Sequence, residues 1–544
     1  MNATVRADSG ASWYATQAPP AFERPRLTFD LDVDVCVIGG GLAGLTAARE
    51  VARRGWSVAV IEARRVAWSA SGRNCGFVMP GFGADMRHMV ERVGLDRARA
   101  LWQLSEAGVE YVRAAIRDTG MPGVEPVPGW LDVSKVDNGD ELLTVATLLG
   151  LEFGTQIEVW STERVRSALK SELYFHAIHY PNAFHVDPLA YAYGLANAAL
   201  AAGATIFEET PALAIDPTGV RKRITTPSAQ VRAAHVVLAA GAHFAELAPG
   251  LAETVLPVTG YAAVTAPLGE RLADAVAYAG AVSDSRLADF QYRIVGGDRL
   301  MWAGAGGIWP PGPARAAQGF KAAIARTFPQ LGAVEIAHGW SGVMAFSVHG
   351  MPQIGEVIPG LWLANAFGGN GLNTSAMAGE VIAAAITERD DRWRLFLPYE
   401  LVWAGGTLGR VARHVGAWSL RRAEDVAASL ARRREAARRA EAQAAGPEPD
   451  SVSSDSAASE PATPQPTEAA GRDFRGELTA TAQVSTLVPQ VESLLHLAAQ
   501  RAEQRKRQQA HDTTDEPEPP RDAERDRAAD PDIRSVPDDP AVKE

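Results

Sequence analysis

Residues 33–55 read VDVCVIGGGLAGLTAAREVARRG, and the fold follows from how that stretch divides. Val33–Ile38 is a short β-branched run, three glycines follow at once, and a helical pattern then continues to Gly55. Strand, tight turn and helix in that order form the opening of a Rossmann-type dinucleotide-binding unit. Gly39 permits the turn, Gly41 lets the backbone approach a pyrophosphate, and Gly44 allows the helix to pack closely. Leu42 and Ala43 complete the turn at the helix N-terminus, where free N–H groups face an anion. Leu45, Ala48 and Ala52 extend the apolar face that Leu42 begins. A second apolar run, Trp56–Ile61, leads into Glu62 and Ala63. Glu62 stands 18 residues past Gly44, near the spacing at which a carboxylate receives ribose hydroxyls and disfavours a 2′-phosphate.

Working outward, 544 residues with 47% hydrophobic content suffice for a large core, and two or three structural units are expected. A formal charge of −12 argues against a general nucleic-acid binder, which needs clustered positive charge. Two cysteines, Cys36 in a strand and Cys75 in a Gly-rich loop, make no disulfide framework, so a reducing, cytoplasmic setting is expected. The first residues lack the apolar run of a signal peptide, and no stretch of about 18 apolar residues spans a bilayer. The histidines show no pairing with carboxylates that suggests a metal site.

NAD enzymes share the opening, so the cofactor is decided elsewhere. His235–Gly241 (HVVLAAG) reads as a buried strand entering a Gly turn, and it resembles the second dinucleotide-contacting strand of two-dinucleotide-fold flavoproteins. Leu361–Glu380 (LWLANAFGGNGLNTSAMAGE) reads as strand, Gly-rich loop and helix start. Such a helix N-terminus presents backbone N–H groups to the pyrimidine edge of a flavin, where negative charge builds on reduction. With Ser69-Ala70-Ser71-Gly72-Arg73-Asn74, Ser12-Trp13-Tyr14-Ala15 and the stretch from Trp340-Ser341-Gly342 to Pro352-Gln353-Ile354-Gly355, the pattern resembles the D-amino acid oxidase-like family of FAD-dependent oxidoreductases. Within that family it resembles the gamma-glutamylputrescine oxidoreductase-like members, over roughly residues 12–420.

The resemblance implies an α/β protein. Its Rossmann-type FAD-binding domain is discontinuous, from parts at about 31–85, 180–250 and 340–390, after an N-terminal arm at 1–30. An α+β substrate domain on an antiparallel sheet, from about 86–179 and 251–339, is inserted. The residues independently read as strands over Val255–Ala266 and as a hairpin of Phe290–Val295 and Arg299–Gly304.

The implied chemistry is hydride transfer from the carbon beside a neutral amine nitrogen to flavin N5, giving an imine that water hydrolyses. Ser71, Gly72, Arg73, Asn74 and Cys75 are expected to line the flavin. Arg73 either offers charge near the ring or pyrophosphate or ties down a loop, and Cys75 is either a covalent tether or a small filler. Gly241 and Gly368, Gly369, Asn370, Gly371 and Leu372 complete the expected FAD contacts. Asn373 stands where sarcosine oxidase-like relatives place a lysine that holds the substrate carboxylate, which shifts the expected substrate toward amines whose polarity lies farther from the reacting carbon. Tyr261, Tyr292, Trp309, Trp340 and His349 are expected to face the substrate, His349 as the acid–base helper.

No lysine lies between Lys222 and Lys321, where several oxidase relatives carry one that assists oxygen reduction. Arg293 or Arg299 is the substitute, or another acceptor replaces O2. A flavin hydroxylase or reductase, and a non-catalytic FAD scaffold, stay as competing readings.

From about Arg421 aromatics almost vanish, and disorder is expected beyond a solvated charged helix at Glu424–Gln443. A Pro/Ser/Ala linker at 446–470, a short amphipathic segment at 484–508 and an acidic tail follow. The amphipathic segment either docks on a partner protein or another subunit, folds back on its own body, or does not fold.

Overall fold

The computed structural model describes residues 10–17, 23–284, 290–305 and 312–444. Trp309, the linker, the 484–508 segment and the acidic tail lie outside the described residues.

Val35, Cys36 and Val37 are fully buried, as are Val236 and Val237. Strands covered on both faces read as unbroken apolar runs, the mark of a parallel sheet. The first sheet runs Gln353–Ile358, Leu361–Asn365, Gln230–Leu238, Leu31–Ile38, Val58–Ile61, Thr205–Phe207. All neighbours in that order are parallel except the first pair. The opening strand and the His235–Gly241 segment are therefore adjacent, with Ile38 opposite Leu238 on one side and Ile61 on the other. Their carboxyl ends open together where the connections depart in opposite directions, the place where such sheets bind ligands.

The second sheet runs Ile336–Phe346, Leu256–Thr265, Arg299–Ala305, Gln291–Val295, Ala281–Ser283, Val127–Val133, Ala177–His185, Phe77–Val78. It is antiparallel apart from the Ala281–Ser283 and Val127–Val133 pair. The hairpin read from sequence is present, closing at Val295 and Arg299. Helix Pro313–Thr327 buries Phe320 and Ile324 in the same core as Tyr292 and Trp302.

Three boundaries fall differently from the sequence reading. Ala177–His185 and Ile336–Phe346 belong to the second sheet, so the chain crosses to the first sheet only after them. The boundary at 420 lies inside one continuous helix, Gly406–Ala444. That helix is not simply solvated, because Ala427, Ala428 and Ala431 are buried and Glu435 pairs with Arg166 at 2.6 Å. Alanines permit close approach without large apolar side chains, which is why the contact leaves little trace in composition. Among the described residues no helix is long and apolar enough to cross a membrane.

Candidate active site

At the carboxyl end of the opening strand Gly39 has φ +115°, a conformation that excludes other residues. A Cβ on Gly44 would stand 2.1 Å from the Gly39 carbonyl oxygen and 3.0 Å from Val37 Cγ1. The helix Leu42–Arg53 can start this close to the strand only because that atom is missing. Gly41 caps the helix with no side-chain bond, leaving first-turn N–H groups for an anion. One of them, Leu42 N–H, donates to Ser71 Oγ at 3.1 Å from the neighbouring loop. Glu62 accepts from Gly40 N–H at 2.7 Å and Arg64 N–H at 2.8 Å, and burial raises its carboxyl pKa. Glu208, at the end of the next strand, is buried and accepts from Val66 N–H at 2.8 Å while pairing with Arg24. It shapes the loop after Glu62, and only the fold identifies it.

The second glycine loop leads into helix Gly371–Glu388, capped by Asn370 with no side-chain bond. This helix lies on Leu42–Arg53, where a Cβ on Gly379 would meet Thr46 Cβ at 2.6 Å. Nothing lies within 4 Å of where a Cβ would stand on Gly241, Gly369 or Gly371, so all three border open space. Leu372 packs inside, and Asn370 donates to the Pro80 carbonyl at 3.4 Å. Asn365 Nδ2 donates to Gly241 O at 2.9 Å, and its buried Oδ1 has no protein partner. Two uncapped helix N-termini, a buried carboxylate and glycine-bordered space suit a dinucleotide with a pyrophosphate and a flavin.

The 71–75 loop is held from three sides. Arg73 donates from Nε to Trp68 O at 3.0 Å and from Nη1 to Gly10 O at 2.9 Å and Ser341 O at 3.3 Å. Of the two roles left open for it, this geometry is the loop tie. Asn74 donates to Ala70 O and Ser71 O, and its own carbonyl accepts from the buried Tyr14 hydroxyl at 3.0 Å. Gly72 is buried beside Ala67 and Leu189. Burial pushes the Cys75 thiol up to about 12, leaving it un-ionised. Beneath the loop lies Arg293, donating to Cys75 O at 2.8 Å, His185 Nδ1 at 2.8 Å, Val186 O at 3.0 Å and Tyr14 Oη at 3.2 Å. Burial, then the Arg293 charge, lowers His185 to about 3, so the ring is neutral and donates from Nε2 to Ala279 O. Arg299 instead bonds Thr265 O and lies over the Trp13 ring.

Three of the expected substrate-facing aromatics, Tyr292, Trp340 and Tyr261, are core residues. Tyr292 is fully buried, stacks on Trp302 with centroids 4.6 Å apart and 2° between planes, and donates its hydroxyl to Tyr174 at 3.2 Å. Trp340 is 1% exposed, packs edge-on to Tyr14 and donates its indole N–H to Arg73 O at 2.9 Å. Protein alone covers both, so neither reaches a substrate. Tyr261 is buried in the same core as Tyr292, and burial raises its phenol pKa. Asn373 is also fully buried, its Nδ2 held by Gly81 O and Ser105 O, and is out of reach of a ligand.

His349 differs. It borders a cavity of about 600 Å³ with Asp85, Met89, Phe346, Tyr399 and Arg413. Its Nδ1 accepts from Met351 N–H at 3.2 Å and its Nε2 faces Glu400 O at 3.3 Å. The first bond keeps the proton on Nε2, and burial lowers the pKa, so the ring is neutral. Phe346 joins this cavity to the second glycine loop: a Cβ on Gly368 would stand 3.0 Å from its ring, and Gly368 N–H donates to Ala345 O at 3.0 Å. Among the described residues no three His, Cys, Asp or Glu side chains group as metal ligands.

A nucleotide cradle on a parallel sheet beside an antiparallel second sheet defines a two-sheet dinucleotide-binding protein. Residues 34–385 match the model of the FAD dependent oxidoreductase family, and the chain belongs to that family. It is an FAD-dependent oxidoreductase. It is 29% identical over 419 residues to a probable oxidoreductase, OrdL, of Haemophilus influenzae, covering 74% of this chain and 95% of that protein. It is 28% identical over 403 residues to the gamma-glutamylputrescine oxidoreductase of Escherichia coli, covering 73% and 94%. Glycine oxidase from Bacillus cereus shares the fold with TM-score 0.55 at 21% identity, over 67% of this chain and 97% of that one. L-Proline dehydrogenase from P. horikoshii does so with TM-score 0.57 at 18% identity, over 68% and 98%.

Proposed function

We propose that the enzyme oxidises a small amine whose second polar group lies well away from the reacting carbon, with gamma-glutamylputrescine-like amines favoured. One observation carries this reading. The helix start at Gly371-Leu372-Asn373-Thr374 bears no cation, and Asn373 is turned into the core, so this loop offers no charged partner for a carboxylate beside the reacting carbon. The relative named gamma-glutamylputrescine oxidoreductase agrees with it.

FAD, when bound, supplies a two-electron oxidation of the C–N bond, and water hydrolyses the imine product. The N–H groups at the starts of the two helices would hold negative charge on the bound cofactor, and Glu62 would receive its ribose hydroxyls. His349 is neutral, the form that takes a proton from a substrate ammonium, and Nδ1 receives it by exchanging the long contact with Met351 N–H. Arg293 sets a buried positive charge under the 71–75 loop in place of the missing lysine, and the acceptor is O2 or another oxidant. Cys36 and Cys75 are free thiols, which supports a reducing, cytoplasmic setting.

The test is anaerobic mixing with polyamines, gamma-glutamyl amines, N-methyl amino acids and D-amino acids while flavin absorbance is followed. Bleaching by gamma-glutamyl amines is expected. Bleaching by N-methyl or D-amino acids alone overturns the substrate reading, and bleaching by a nicotinamide cofactor favours a hydroxylase. Readmitting air then decides the acceptor: flavin that stays reduced for minutes is not that of an oxidase.

A further inference from the structure

We propose that the cavity beside Phe346 receives a carboxylate at the far end of the amine substrate, with Arg413 as its counter-ion. The proposal rests on the amine reading above and adds the charge of the substrate's remote end. Arg413 is borne by helix Gly406–Ala444, and its guanidinium carbon lies 4.0 Å from the centre of the Phe346 ring. It is half-buried, and within the described structure no hydrogen bond or ion pair engages it.

The other charges on the cavity wall are occupied. Glu91 pairs with Arg87 at 2.5 Å, Arg92 donates to Pro398 O at 2.9 Å and lies over the Tyr399 ring, and Asp85 caps helix Met86–Val93 through Arg87 N–H at 2.8 Å. His349 is neutral. Burial alone lowers the Arg413 pKa, the sign of a cation short of solvent and of any anion. A partly desolvated cation without a counter-ion is costly, and an arriving carboxylate removes that cost through paired charge-assisted hydrogen bonds.

The geometry sets the length of the ligand. Phe346 touches Arg413 and Gly368 alike, so one phenyl ring separates the cation from the glycine loop. A substrate anchored at Arg413 must run past that ring before its amine meets the reacting site, which requires several bonds between the two ends. The Phe346 and Tyr399 rings suit the methylenes in between, and a cavity of about 600 Å³ has the size of a small-molecule site.

The experiment uses the holoenzyme and two substrates with one reacting amine, gamma-glutamylputrescine and N-acetylputrescine, of which only the first carries a carboxylate. Arg413→Gln is expected to raise KM for gamma-glutamylputrescine on the order of thirty-fold, leave kcat within about twofold and leave KM for N-acetylputrescine in place. Arg413→Lys, which keeps the charge but not the fork, should recover part of the loss. A second arm titrates glutarate, an unreactive dicarboxylate, into holoenzyme by calorimetry: the natural protein binds it and Arg413→Gln does not. Unchanged flavin content and melting temperature show that the variants fold. Glutarate binding that survives Arg413→Gln, or equal KM changes for both amines, overturns the proposal. If no amine bleaches the flavin, the amine reading fails by itself and the glutarate arm still decides whether Arg413 holds an anion.

Discussion

The carboxyl edge of the parallel sheet and the interior of the antiparallel sheet are made of different materials. At the edge the working parts are backbone: Gly39 turns, Gly44 lacks the atom that would strike the Gly39 carbonyl, and the helices that start at Leu42 and Gly371 have no side-chain bond from their N-cap residues. In the second sheet the parts are side chains whose roles depend on which segment covers them. Tyr292 is core because Trp302, Tyr174 and Phe328 surround it, and of these only Trp302, its partner across the hairpin, is local to it. A backbone-built site tolerates no added atom, whereas a side-chain wall tolerates a change that keeps volume.

Four substitutions sharpen or break that contrast. Gly44→Val places carbon where 2.1 Å separates a Cβ from backbone oxygen, and neither partner can move aside. We expect protein without bound flavin and a loss in the exceptional range above about 4 kcal/mol, read from the flavin-to-protein absorbance ratio and thermal unfolding. A yellow, stable Gly44→Val protein breaks the backbone account.

Tyr292→Ala should cost about 3 kcal/mol by emptying the space against Trp302. Tyr292→Phe loses only the bond to Tyr174, about 1 kcal/mol, and should leave the rate of flavin reduction unchanged. If Tyr292→Phe instead alters KM at full stability, this tyrosine faces substrate after all.

A test in pH comes from His185, whose folded pKa is lowered to about 3 by burial and then by Arg293. An unfolded histidine titrates near 6.5, so between these values the unfolded chain binds a proton that the folded chain refuses. Stability should therefore be complete above about pH 6.5 and fall on acidification by up to about 1.4 kcal/mol per pH unit. His185→Gln should flatten that slope in denaturant titrations at pH 4.5 and 6.5, and an unchanged slope assigns the acid loss elsewhere.

The same contrast explains what was legible. Gly39, Gly44 and Glu62 are readable because turn, helix and carboxylate are spaced along one local unit, and Gly241 because Val236 and Val237 form an unbroken buried run. Tyr292 and Trp340 lie in segments that the family resemblance puts on the substrate side, and a segment's place does not say which face of an antiparallel strand is covered. That is decided by helix Pro313–Thr327 and by Tyr14, from distant parts of the chain. Tyr14 did leave a trace, in the early Ser12-Trp13-Tyr14-Ala15 of the family pattern, although only the structure shows it bracing Asn74. Arg413 left none, because the cavity gathers residues from 83–92, 346–350, 399 and 413 that no spacing rule connects.

Helix Gly406–Ala444 begins beyond residue 385, where the match to the family model stops, yet it furnishes one wall of the cavity through Arg413. On the proposal made for Arg413, mutational drift there retunes which molecules the enzyme accepts while the cradle at Gly39–Gly44 stays untouched, so the grip on the coenzyme and the choice of what it oxidises would be free to evolve at separate speeds.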